Sequence, residues 1–591
     1  MNLKKIKSGI KLVVILIITT SVLSCQSKNE NKPNVIIVLS DDQGWGDLSI
    51  NGNKNLSTPN IDKLSMSGAT FENFYVQPVC SPTRAELLTG RYHARGGVYS
   101  TSAGGERLDL DEATIAEVFK KAGYATAAYG KWHNGMQPPY HPNSRGFDDF
   151  YGFCSGHWGN YFNPMLEHNG EVVRGDGFLV DDLTNHGIEF IEKHKNEPFL
   201  LYLPLNTLHS PMQVPAKWFS KFENIEVGQK AETNEEDITF TKASLAMCEN
   251  IDWNVGRLLN KLDELDLNDN TIILYFSDNG PNGWRWNGGM KGKKGSTDEG
   301  GVRSPLFVRW SGKIENGKQI NEISSAIDIL PTLTELTGIS SDISKPMDGV
   351  SLKPLLLNDN YNWPDRFIFN KWRESISVRN QKYRLDSRDN LFDIENDRGQ
   401  KNNLSSELST VRKNMLDAKK KFVDEVLSEL PKEDNREFTL GSPEAIFTQL
   451  PARDGVGHGE ITRSNKYPNC TFFTNWIYLE DMITWDVNVL EEGNFDVTLY
   501  YTCPKGDEGS KFELSFGATK IRSQITEAFE SELTGMENDR VVRQESYIKE
   551  FKPLKLGVMS LEKGRGQLML KGITKPGKTV MDVRLLLFER K

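Results

Sequence analysis

Two acidic pairs and one cysteine carry most of the chemistry available to this sequence. Asp41 and Asp42 follow the apolar run Asn34-Val35-Ile36-Ile37-Val38-Leu39-Ser40, and Asp278-Asn279 follow Thr271-Ile272-Ile273-Leu274-Tyr275-Phe276-Ser277. Three carboxylates and an amide are hard oxygen donors, which suit Ca²⁺ or Mg²⁺ and not a soft metal. The same residue types are common in turns after strands, so each pair alone supports a cation site or a plain turn. Cys80 opens the stretch Cys80-Ser81-Pro82-Thr83-Arg84-Ala85-Glu86-Leu87-Leu88-Thr89-Gly90-Arg91. Pro82 can begin a helix and Leu87-Leu88 can bury one face of it. Position 80 then lies at a helix amino terminus with Arg84 one turn on, where negative charge is favoured. On these surroundings Cys80 is a nucleophilic thiolate or a structural cysteine.

The two apolar runs are continuous, as in parallel strands buried on both faces. Further strands are predicted over 125–129 and 199–203, and amphipathic helices over 114–122 and 244–265. Strands alternating with helices indicate an α/β domain with a mainly parallel sheet, here placed over 33–370. Ligand sites in such sheets form at the carboxyl ends of the strands, so the two acidic clusters can converge. Short strand candidates at 377–379, 382–385 and 391–393, with a helix over 408–427, predict a small α+β subdomain over 371–435. Short alternating strands from 436 to 591 predict a C-terminal β-sandwich.

Cys80-x-Pro82-x-Arg84 followed by Leu88-Thr89-Gly90-Arg91 resembles the signature of the type I, formylglycine-dependent sulfatase family. The resemblance extends over most of residues 33–430. Gly130-Lys131-Trp132-His133, Arg145-Gly146-Phe147-Asp148, Pro198 through His209-Ser210-Pro211, Ser277-Asp278-Asn279-Gly280, Lys294 through Arg303, Asp328-Ile329-Leu330-Pro331-Thr332 and Asp348-Gly349-Val350-Ser351-Leu352 follow in the family's order. It implies an alkaline-phosphatase-like fold and a formylglycine made by oxidation of Cys80. Asp41, Asp42, Asp278 and Asn279 become ligands of Ca²⁺, or less readily Mg²⁺, together with the converted Cys80. Arg84 and Lys131 hold the hydrate and carboxylates, His133 contacts one hydroxyl, and His209 and Lys294 face the sulfate ester. Read singly, His133 is as well a core residue, His209 a turn residue, and Lys291, Lys293 and Lys294 a solvated basic loop; Lys294 has the family's spacing to Glu299-Gly300-Gly301, with Lys291 the fallback. The activity implied is hydrolysis of sulfate esters on a polysaccharide or oligosaccharide, such as algal ulvan or carrageenan or a host glycosaminoglycan. A phosphomonoester or phosphonate hydrolase on the same scaffold, and a catalytically inactive glycan-binding protein, are the competing readings.

Trp284, Arg285 and Trp286 suit stacking on sugar rings and contacting anions, and His157, Trp158 and Asn160 are placed with them; all of these are equally plausible packing residues. Asp298 stands where the family often has an aromatic, which bears on local specificity. Trp485-Asp486-Val487 and the stretch 493–499 look similar to a carbohydrate-binding sandwich, and a purely structural role fits as well.

The chain has 591 residues, too many for one hydrophobic core, and a net charge of −10. That balance argues against nucleic-acid binding but leaves room for a local basic pocket. Lys4, Lys5, Lys7 and Lys11 precede a short apolar run ending in Val22-Leu23-Ser24-Cys25, the pattern of an export signal. The ending resembles a lipobox, which implies that residues 1–25 are a signal, that Cys25 is lipidated, that 26–32 tether the chain to a membrane, and that the mature protein faces the periplasm or the cell surface. An ordinary cleaved signal with an incidental cysteine is the other reading, and both imply export. A formylglycine-generating maturation enzyme is the other implied partner. Cys154 and Cys248 read as buried residues; Cys470 and Cys503 can pair within the C-terminal region or remain free.

Overall fold

A computed structural model describes residues 32–340, 343–358 and 361–591. The signal, Cys25 and all but the last residue of the tether lie outside the described residues. No described helix is long and apolar enough to cross a membrane.

A ten-stranded sheet organises the first part of the chain. Its strands are β1 (Asn34–Ser40), β2 (Ala69–Phe71), β3 (Ala125–Lys131), β4 (Asp149–Phe153), β5 (Met165–His168), β6 (Glu171–Arg174), β7 (Phe199–Pro204), β8 (Thr271–Ser277), β9 (Leu306–Trp310) and β10 (Lys318–Ile320). They lie in the order β10-β2-β9-β8-β1-β7-β3-β4-β5-β6. The central five, β8-β1-β7-β3-β4, are mutually parallel. Every residue of β1 and β8 is buried, which is why both read as unbroken apolar runs. Their side chains nevertheless alternate: Val35, Ile37 and Leu39 enter one core, Ile36 and Val38 the other.

Helices cover both faces. On one side lie α1 (Pro59–Met66), α4 (Leu179–Lys193) and α5 (Ile238–Glu264); on the other lie α2 (Cys80–Thr89), α3 (Ile115–Lys121) and α6 (Ile329–Thr337). α3 starts where the sequence marks it, at Thr114, whose side chain forms a capping box with Glu117. α5 begins six residues earlier than predicted, because the Asp237 carboxylate caps Thr239 and Phe240. α2 is buried along its whole length and starts at Cys80 itself, so Pro82 lies in its first turn.

Four short antiparallel strands, Ile368–Trp372, Ser375–Arg379, Tyr383–Leu385 and Leu391–Asp393, form a smaller sheet; the last three are predicted from the sequence, while the first is not and crosses the boundary expected at 370/371. Helix α7 (Ser409–Glu425) packs Met415 on Val378, Leu385 and Leu391. Beyond it, two mainly antiparallel sheets enclose a third core containing Trp476, Trp485, Leu499, Leu568 and Phe588, a β-sandwich. One of its long strands, Lys552–Leu561, escaped the sequence reading because its residues are mostly solvent-facing and include Pro553. Of the two readings for Cys470 and Cys503 the structure has the unpaired one: both thiols are free. Cys470 turns toward the catalytic unit, its Sγ 3.1 Å from the His157 carbonyl, while Cys503 lies within the sandwich core. Cys154 and Cys248 are buried, as predicted.

Candidate active site

The carboxyl ends of β1, β7, β3 and β8 deliver the site. The backbone after β1 turns sharply, with Asp42 at φ 61°, a left-handed conformation that Asp tolerates better than most residues. This turn aims Asp41 and Asp42 at Asp278, which follows the neighbouring strand. One ligand atom each from Asp41, Asp42, Asp278 and Cys80 lie within 4.8 Å of one another, all four residues buried.

Basic side chains surround this cluster. Arg84 donates from Nε and Nη2 to Asp278 Oδ2 at 3.1 and 2.7 Å, and from Nη1 to the Lys131 carbonyl at 2.6 Å. Lys131 Nζ is 2.6 Å from Asp41 Oδ2, and Lys294 Nζ is 2.6 Å from Asp42 Oδ1. His209 Nε2 stands 3.8 Å from Asp42 Oδ2. Burial and the adjacent Asp278 push the Asp41 carboxyl up to about 7. Against the same burial, Lys294 and His209 hold Asp42 below the usual carboxylate range. Burial drives the Cys80 thiol up to about 12 despite Lys131 and Lys294. The helix terminus therefore does not make position 80 a thiolate.

The donor set fits a hard divalent cation. Asp42 Oδ2 and Asn279 Oδ1 are buried without a hydrogen-bond donor, an arrangement that costs roughly 1–3 kcal/mol per group unless something else satisfies them. Three carboxylates, one amide oxygen and no histidine within the set match the oxygen preference of Ca²⁺ or Mg²⁺.

Cys80, His133, His157, His209 and Lys294 open onto one cavity of about 560 Å³. His133 Nε2 is 2.9 Å from the Thr101 carbonyl, so its proton resides there and Nδ1 keeps a lone pair, buried and unpartnered. Burial and Lys131 hold the ring neutral, well below the ordinary histidine value. His209 donates from Nδ1 to the Ser210 carbonyl at 2.7 Å, and its ring lies nearly parallel to that of His157, with centroids 5.7 Å apart.

Lys294 is the loop lysine that reaches the cluster. Lys291 pairs instead with Asp298 at 3.4 Å, its side chain 43% exposed. The Lys294 loop is pinned from two sides. Gly280 lies so close to it that a Cβ there would meet the Gly300 carbonyl at 2.1 Å. Glu299, fully buried, pairs with Arg303 and Arg384 at 3.3 and 3.1 Å and accepts from Tyr75 Oη at 2.8 Å. Arg384 belongs to the small antiparallel sheet, which thereby locks the loop; the sequence reading assigned none of these arginines a role.

The loop of Trp284, Arg285 and Trp286 is placed elsewhere. It lines a separate cavity of about 290 Å³ together with Lys230, Lys293 and Lys401. Arg285 is 4% exposed and bonded to Asp47 at 2.6 Å and to the Asp42 carbonyl at 3.0 Å. It braces the turn after β1, and its donors are taken up there by Asp47 and the Asp42 carbonyl. Trp284 donates to Glu235 at 2.8 Å. Trp158 stacks on Phe153, and Asn160 bonds the Phe162 carbonyl, so of that second group only His157 reaches the catalytic cavity.

Comparison with known proteins agrees with this geometry. The sulfatase family model matches residues 33–339, and the model for the C-terminal part of N-sulphoglucosamine sulphohydrolase matches 293–423. N-acetylgalactosamine-6-sulfatase of Mus musculus is 31% identical over 373 residues, 57% of this chain and 68% of that protein. The sulfatase YdeN of Escherichia coli K12, itself uncharacterized, is 32% identical over 405 residues, 59% of this chain and 70% of that one. The crystal structure of Ps i-CgsB in complex with k-i-k-neocarrahexaose superposes with a TM-score of 0.61 at 31% identity, covering 68% of this chain and 95% of that one. The ten-stranded sheet with helices on both faces is the alkaline-phosphatase-like fold of such structures. With oxygen ligands on two strand ends, a cysteine at a helix start beside them and a matching family model over more than half its length, the chain belongs to the sulfatase family and is a sulfuric ester hydrolase.

Proposed function

We propose that the protein removes sulfate from a sulfated polysaccharide or oligosaccharide, using a formylglycine derived from Cys80 and a bound calcium ion. The observation that carries this reading is the placement of Cys80 at the start of α2 within reach of Asp41, Asp42 and Asp278. A thiol pushed up to about 12 is a poor nucleophile at neutral pH, whereas conversion of the same position to an aldehyde hydrate supplies a hydroxyl for attack. Calcium suits a cage of protein oxygens better than magnesium, which dehydrates reluctantly; held by Asp41, Asp42, Asp278 and Asn279, it would neutralise sulfate charge and make a nearby hydroxyl more acidic.

The chain's own residues divide the remaining work. Arg84 and Lys131 fix Asp278 and Asp41 and keep the three carboxylates from repelling one another. Lys294 stands on the cavity side of Asp42, where it meets the sulfate oxygens and offsets charge developing on the leaving oxygen, while His209, which burial and Lys294 keep neutral with its proton on Nδ1, faces the same space with its Nε2 lone pair. His133 Nδ1, neutral and unpartnered, is the acceptor for a proton released beside residue 80. A carbohydrate substrate is supported by two relatives, one named for N-acetylgalactosamine-6-sulfate chemistry and one solved with a carrageenan oligosaccharide. The basic, apolar and lipobox-like start of the chain supports export and a lipid anchor at Cys25, and the cysteine motif supports a formylglycine-generating partner.

Mass spectrometry of the peptide carrying Cys80, after coexpression with such a maturation enzyme, should find formylglycine. Cys80→Ala should abolish sulfate release from a panel of sulfated oligosaccharides while the protein still melts cooperatively. Full activity with an unmodified thiol, or a clear preference for aryl phosphate over aryl sulfate, would refute the proposal.

A further inference from the structure

The C-terminal β-sandwich reaches back over the catalytic cavity and forms its far wall. Tyr467, Asn469, Val542, Gln544 and Glu545 line the same space as Cys80 and Lys294. Both segments lie beyond residue 423, where the second family model ends.

The wall is anchored rigidly to the catalytic unit. Arg543 pairs with Asp539 and donates to the Gly159 carbonyl, so its charge is satisfied inside the protein. Asn469 Nδ2 lies 3.1 Å from His157 Nδ1, while its Oδ1 accepts from Arg453 at 3.4 Å, which fixes the amide's orientation. His157 therefore accepts at Nδ1 and carries its proton on Nε2. That Nε2 is buried and has no partner.

The wall presents an aromatic ring and a carboxylate, and beside them stands the unpartnered His157 N–H of the catalytic unit. Tyr467 is 39% exposed, and its hydroxyl meets Gln544 Oε1 at 3.4 Å. Glu545 accepts from Ser210 Oγ and from the Gln544 amide, and among the described residues no basic side chain pairs with it. A sugar ring offers the matching surface: C–H faces for the aromatic ring, a hydroxyl proton for Glu545 and an oxygen for His157 Nε2–H. A second sulfate or a carboxylate placed there would face an uncompensated negative charge.

We propose that this C-terminal wall is the leaving-group subsite, shaped for an uncharged, hydroxyl-bearing sugar ring, and that Glu545 discriminates against a second anionic substituent on that ring. The inference rests on the glycan-sulfatase reading above. Glu545→Gln keeps an acceptor for Ser210 and removes only the charge; Gln544→Glu adds one at an exposed position on the same wall. The matured full-length enzyme is assayed on a monosulfated neutral disaccharide, its disulfated counterpart and para-nitrophenyl sulfate. Glu545→Gln should raise kcat/KM for the disulfated relative to the monosulfated disaccharide by about tenfold, the size of one like-charge contact at a partly solvated site, and Gln544→Glu should lower that ratio. An unchanged ratio in Glu545→Gln, or in both variants, overturns the inference and leaves the sulfatase reading standing. Failure to hydrolyse either disaccharide, with the aryl sulfate still cleaved, overturns both. Should Glu545→Gln not fold, Gln544→Glu alone decides.

Discussion

Arg84→Met removes three donors from the floor of the cation site, two to Asp278 and one to the Lys131 carbonyl. Both charged side chains of the Arg84–Asp278 pair are fully buried, so the carboxylate left behind has no solvent to turn to. Breaking a buried pair in this way costs about 3–5 kcal/mol. For a catalytic unit of roughly 300 residues, an unfolding entropy of about 2.1 cal/mol/K per residue converts that loss into a fall of about 5–8 °C in melting temperature. Calorimetry in chelator is the assay, because it reads the carboxylate's exposure to charge and not the loss of a bound cation. Adding Asp278→Asn to Arg84→Met removes the orphaned charge, and a coupling of about 2 kcal/mol should return roughly 3 °C. A double variant that melts as low as the two single losses added together would refute the account, since Arg84 would then act by packing and not by compensating Asp278. Lanthanide or calcium titration gives a second reading: loss of the partner that orients Asp278 should weaken cation binding by about 10–100-fold.

Two further outcomes separate residues that look alike in the sequence. Lys294→Met should lower kcat/KM by about 10²–10³ on an aryl sulfate, as loss of a donor to developing charge does, while Lys291→Met stays within about twofold; equal losses would undo the assignment of Lys294. Arg285→Met should lower the melting temperature by several degrees through the buried Asp47 carboxylate, with the ranking of saccharide substrates preserved, because the guanidinium is spent on Asp47 and the Asp42 carbonyl. Altered saccharide preference at an unchanged melting temperature would restore Arg285 as a substrate contact.

The residues of the candidate site were legible in the sequence because each is announced locally. β1 and β8 stand out as unbroken apolar runs, since a strand buried on both faces admits nothing else, and the acids directly after them are then bound to lie at one edge of the sheet. Cys80 and Arg84 are likewise tied by one helical turn. What the sequence concealed is every contact that depends on distant segments meeting. Arg285 between two tryptophans has the same local appearance as a saccharide-binding arginine and as a buried strut; its partner Asp47 is 238 positions away. Glu299 sits in a recognisable motif, but Arg384, which holds it, lies on another sheet. His157 was grouped with Trp158 and Asn160 as a candidate contact, yet its tautomer is set by Asn469, 312 positions on in the C-terminal sandwich.

That division has a physical consequence for how specificity arises here. The candidate cation ligands, Cys80 and Lys294 all sit on strand ends, a helix start and a doubly pinned loop, where a small displacement would cost the proposed reaction itself. The opposite wall supplies none of Asp41, Asp42, Asp278 and Asn279 and is held to the catalytic unit by Arg543 on the Gly159 carbonyl, Gln213 on Asp539, Asn469 on His157 and Ser210 on Glu545. Side chains there can change without disturbing the cluster of Asp41, Asp42 and Asp278, so substrate choice is free to vary while sulfate chemistry stays constant. The C-terminal sandwich is therefore the part of the molecule in which exchange of a few residues should redirect the enzyme from one sulfated sugar to another.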